Sequence, residues 1–79
     1  MKAVHDLQYV EFIGRLRSAR KAKGCTQGEL AELLNKPQSY VSKVETCERR
    51  IDVIEAARWC STLGVTIQDL LPPSVTAHK

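Results

Sequence analysis

The chain has 79 residues, of which 43% are apolar and 27% charged, and a formal net charge of +3. That length suits one small domain with a modest core, for which compact helix packing is the expected solution. The apolar content is too high for a disordered chain, and no apolar run approaches the roughly 20 residues of a membrane span.

Residues 1–7 show no clear periodicity and are expected to form an N-terminal arm, with Asp6 able to cap the first helix. From about Gln8 to Lys23 the pattern is helical. Val10, Ile13, Leu16 and Ala19 recur at three-residue steps with Phe12 alongside, while Arg15, Arg17, Lys21 and Lys23 take the polar sides. Gly24 is the expected stop, in a left-handed conformation. Thr26 is a good N-cap, and Glu29 three residues on completes a capping box. Helix two then runs from about Gln27 to Leu34, with Leu30, Ala31, Leu33 and Leu34 as its apolar face. Asn35 tolerates the left-handed backbone of a sharp turn, and Pro37 suits the first turn of a new helix.

Helix three is expected from about Gln38 to Thr46. Val41 and Val44 point one way, and Gln38, Ser39, Ser42 and Lys43 fall on the other side. Cys47-Glu48-Arg49-Arg50 comes next, placing Arg49 and Arg50 within reach of phosphates. Helix four starts at Asp52 with Glu55 as capping-box partner. Its inner stripe reads Val53, Ala56, Ala57, Cys60 and Leu63, and Gly64 ends it. Trp59 either fills space beside Ala56 or anchors an interface. Thr66 caps a short fifth helix, Ile67 to Leu71, which Pro72-Pro73 terminates. Residues 72–79 read as a C-terminal tail and residues 8–71 as the folded domain.

Charge is distributed unevenly. From Tyr9 to Arg50 there are nine Lys or Arg against five Asp or Glu; from Ile51 to Lys79 there are two against three. The basic half holds the two-helix unit, as a phosphate-facing surface requires. The three cysteines are odd in number and have no Cys-x-x-Cys spacing, which argues against a disulfide framework and a structural zinc site. Cys25 and Cys60 read as small core residues and Cys47 as exposed. With no charged-then-apolar leader, a cytoplasmic location is the default expectation. No metal or cofactor is called for.

Arg20, Gly24, Thr26-Gln27, Glu29-Leu30-Ala31, Gln38-Ser39, Val41-Ser42 and Glu45 form an ordered set. From about Ile13 to Leu71 the chain resembles the helix-turn-helix of phage repressors and Cro proteins, the Xre or lambda repressor-like family. The resemblance implies an all-α, five-helix domain with its helix-turn-helix at helices two and three. It also implies an Arg20–Glu45 ion pair and a contact of Gln27 with the DNA backbone. The family often has Gly where this chain has Cys47, so that turn is either strained or differently shaped.

Recognition chemistry points to the same face. The major groove admits one helix and shows each base pair as a distinct donor and acceptor pattern. The Gln38 amide can pair with adenine N6 and N7. Ser39 and Ser42 are short enough to let the helix lie deep, and Lys43 can reach guanine or a phosphate. Tyr40 is placed at the flank, where its ring can pack while its hydroxyl reaches the DNA backbone. The expected function is a sequence-specific transcriptional regulator, most simply a repressor, acting on double-stranded DNA as a homodimer. Trp59, Val65, Ile67, Leu70 and Leu71 are candidates for the dimer surface. The alternative is a protein-interaction or antitoxin-type module on the same fold. An enzyme is disfavoured: His5 and His78 lie near the ends, and no nucleophile–base or carboxylate pair is visible.

Overall fold

The computed structural model describes residues 6–76, all helix, turn and loop. The expectations for residues 1–5 and 77–79, His5 and His78 among them, lie outside the described residues. Six helices occur in order: α1 (Leu7–Ala22), α2 (Gln27–Leu34), α3 (Gln38–Glu45), α4 (Val53–Leu63), α5 (Ile67–Leu70) and α6 (Pro73–Thr76). The sixth is a single turn in a segment whose sequence suggests a loose tail. There Pro72 is fully buried, and Gln8 Nε2 donates to Ser74 Oγ at 3.0 Å, so this segment is joined to the start of α1. No helix among the described residues is long and apolar enough to cross a membrane.

The helix ends are set by local chemistry. Asp6 accepts from the amides of Gln8 and Tyr9 and caps α1. Thr26 with Glu29, and Asp52 with Glu55, form reciprocal capping boxes at α2 and α4. Thr66 accepts from the Asp69 amide at α5. Asn35 (φ 59°) and Gly64 (φ 75°) end α2 and α4 in the left-handed region.

α2 and α3 pack against each other, α4 crosses α1 and α2, and α5 packs on α1 and α4. Their shared core holds Phe12, Ile13, Leu16, Leu30, Ala31, Val41, Val44, Trp59 and Leu63. Three expected stripes are displaced. In α1, Val10 is 39% exposed and the buried positions are Phe12, Ile13, Leu16 and Arg20. Leu33 is 62% exposed, because the face of α2 that meets α3 and α4 is centred on Leu30 and Ala31. In α4 the buried positions are Ala56, Trp59, Cys60 and Leu63. Trp59 pulls the stripe round, leaving Ala57 exposed and Val53 68% exposed at the helix start. Trp59 is therefore a core residue. Leu70 is buried with it, so neither remains available to a dimer surface.

Candidate nucleic-acid interface

The turn Asn35–Pro37 sets α2 and α3 at an angle, and α3 presents two unlike faces. Tyr40, Val41 and Val44 are buried, whereas Gln38, Ser39 and Lys43 are exposed and Ser42 is half-buried. The first turn of α2 lies alongside: a Cβ on Gly28 would stand 3.6 Å from Gln38 Oε1. The start of α3 thus lies against Gly28 in the first turn of α2.

At the end of α3 the Glu45 carboxylate is nearly closed off from water, with 2% of the side chain exposed. Arg20 grips it as a fork, Nε to Oε2 at 2.7 Å and Nη2 to Oε1 at 3.0 Å, and gives Nη1 to the Cys25 carbonyl at 2.8 Å. The hydrogen bond to Glu45 raises the Arg20 pKa above its already high ordinary value. Gln27 Nε2 donates to the same Oε1 at 2.9 Å. The amide of Gln27, expected at the DNA backbone, is in this structure held by Glu45.

The Tyr40 ring packs, but its hydroxyl departs from its expected place at the DNA backbone. Tyr40 is buried against Trp59, with ring centroids 6.1 Å apart. Its hydroxyl accepts from Trp59 Nε1 at 3.1 Å and donates to Glu55 Oε2 at 3.0 Å, so its polar end is satisfied inside the protein. Burial is the main reason its pKa is raised. At Glu55 burial pushes upward, but donation from the Asp52 amide, Tyr40 and Arg49 outweighs it and holds the carboxyl below its ordinary range. Nothing in the local sequence announces this network; the only cue is a buriable Tyr near a charged loop.

The two loop arginines are likewise restrained. Arg49 pairs with Glu55 Oε2 at 3.0 Å and lies over the Tyr40 ring, 4.9 Å from its centroid. Arg50 lies over the Tyr9 ring at 4.2 Å. Between them and α3, Cys47 adopts φ 63°. The Cys47 amide donates to the Val44 carbonyl and the Glu48 amide to Lys43, closing the helix as a glycine terminator would. Cys47 is half-buried against the core rather than exposed, and burial pushes its thiol pKa up. Cys25 is half-buried and Cys60 buried. No group of three or more His, Cys, Asp or Glu among the described residues could hold a metal ion.

A short helix pair whose second helix turns a polar face outward is the arrangement of helix-turn-helix DNA-binding regulators. The Helix-turn-helix family profile matches residues 16–70. The chain belongs to this family, in its Xre or lambda repressor-like form. Among solved structures it is similar to an XRE-family like protein from Pseudomonas syringae pv. tomato str. DC3000. The two are 45% identical over 84% of this chain and 80% of that one, with a TM-score of 0.78. It is also similar to the clp gene regulator ClgR from Corynebacterium glutamicum, at 33% identity over 78% of this chain and 67% of that one, TM-score 0.72. A match to apo-HppE, at 25% identity and TM-score 0.77, spans 85% of this chain but only 38% of the other. No match is found among the curated proteins.

Proposed function

We propose that this protein is a sequence-specific repressor that lays the outer face of α3 in the major groove and acts as a two-fold dimer on a palindromic site. The observation that carries the reading is the division of α3: Tyr40, Val41 and Val44 are committed to the core, leaving Gln38, Ser39, Ser42 and Lys43 on the other side. Gln38 is the base reader, since its amide can both donate and accept toward adenine. Ser39 and Ser42 allow close approach, and Gln27 and Lys43 meet backbone phosphates. Arg49 and Arg50 add positive charge from guanidinium groups already held on tyrosine rings, which lowers the ordering cost of binding. Tyr40 serves this surface from behind. Such a regulator works on the chromosome, in the cytoplasm of a prokaryotic cell, and carries out no chemistry of its own.

The test is selection of bound sequences from a random DNA pool, followed by titration of wild type and Gln38→Ala. Wild type should bind mixed DNA in a salt-dependent way and select a palindrome. Gln38→Ala should lose roughly 1–3 kcal/mol on the selected site and relax preference at one position of each half-site. Absence of salt-dependent DNA binding would favour the interaction-module alternative. An unchanged base preference would remove Gln38 from its role.

A further inference from the structure

Two guanidinium groups converge on the Glu45 carboxylate, and only that of Arg20 hydrogen-bonds it. Arg20 makes the short forked contacts, while Arg17 Nε stands 3.9 Å from Oε1, too far for a hydrogen bond. The Arg17 side chain is 54% exposed. With its own side chain half in solvent and no hydrogen bond to Glu45, Arg17 adds little to stability beside the buried fork of Arg20. One carboxylate facing two arginines leaves one positive charge in surplus. Arg20 is buried, so that surplus resides on the solvent side, at Arg17. The place it occupies is specific. Oε1, the oxygen nearest Arg17, also accepts from Gln27 Nε2, so Arg17 stands near the first turn of α2 and the C-terminal end of α3. Other arginines are differently engaged: Arg15 makes a direct ion pair with Glu11 at 2.7 Å, and Arg49 one with Glu55 at 3.0 Å.

Building on the DNA-binding reading above, we infer that Arg17, a residue of α1 outside the helix-turn-helix, is a phosphate-binding residue. It takes a backbone phosphodiester of double-stranded DNA at the edge of the groove occupied by α3. Glu45 acts as its positioning residue: the carboxylate orients the guanidinium without consuming its donors. The contact is to backbone, so it carries affinity and register but no base preference.

The experiment titrates the full chain into mixed-sequence duplex DNA over a series of salt concentrations and reads fluorescence anisotropy, with thermal melting in parallel. The proteins are wild type, Arg17→Gln, Arg17→Lys, and Arg58→Gln, which removes the same charge from an exposed position of α4. For Arg17→Gln, the log–log salt slope should become shallower by about 0.9, the value of one phosphate contact. Arg17→Lys should keep the wild-type slope, Arg58→Gln should change it little, and all should melt near wild type. A wild-type slope in Arg17→Gln, an equal change in Arg58→Gln, or a large fall in the Arg17→Gln midpoint would each overturn the inference alone. Failure of wild type to bind duplex DNA would overturn both the inference and the reading beneath it.

Discussion

The Glu45 side chain is 2% exposed, and truncating Arg20 would remove its forked partner. Uncompensated burial of a charge costs roughly 3–5 kcal/mol. Arg17 can swing closer and Gln27 still donates, so the lower end of that range is expected for Arg20→Ala. In a domain of this size that is a fall of more than about 10 °C in thermal midpoint, readable by circular dichroism. Arg20→Lys restores the charge but not the planar fork and should melt between the two. A midpoint unchanged in Arg20→Ala would show that the pair does not hold α1 to α3. At this scale the sequence is partly legible. Arg20 and Glu45 stand out through the resemblance, and the structure has them 2.7 Å apart. Tyr40 does not stand out. Its burial depends on Trp59, 19 residues away, reaching across with an indole N–H. No local pattern encodes such a meeting.

Elements end where their caps place them, because capping is chemistry between residues two to four apart. Thr26, Asn35, Asp52, Gly64 and Thr66 each act within one turn of a helix end. The loop after α3 is the informative exception. Cys47 at φ 63° carries a Cβ where glycine would carry none, yet its side chain packs partly against the core. Cys47→Gly relieves the backbone and forfeits the packing, so stability should change by less than about 1 kcal/mol. Cys47→Val places a β-branched side chain in the left-handed region and should cost more than about 1 kcal/mol. Urea midpoints compared at constant slope will rank them. Equal midpoints for the valine and glycine variants would mean the turn adapts freely. The faces of α2 and α4 are less legible than their ends. A repeat of three and four residues fixes a stripe's spacing, but which neighbour the stripe faces rotates it, as exposed Leu33, Val53 and Ala57 show.

For the molecule as a whole, a single module buries little surface on DNA, and the proposed remedy is a second copy. With Trp59 and Leu70 buried, the surface open to that copy includes half-buried Val65, Ile67 and Leu71 and exposed Val53 and Ile54. Light scattering should show a mass rising from one chain toward two with concentration. Inserting about five base pairs between half-sites, half a helical turn, should abolish tight binding by turning the second module to the opposite side of the duplex. Undiminished affinity on the altered site would show that each module binds alone. Composition and pattern suffice for an all-helical single domain, for its five main helices and for the polar character of α3, because these depend on neighbours along the chain. Packing in three dimensions alone commits Tyr40 to the interior, stacks Arg49 and Arg50 on aromatic rings and leaves Arg17 with surplus charge beside Gln27. Those outcomes turn on distances between residues far apart in sequence, where burial and competing partners, rather than local preference, set the free energy.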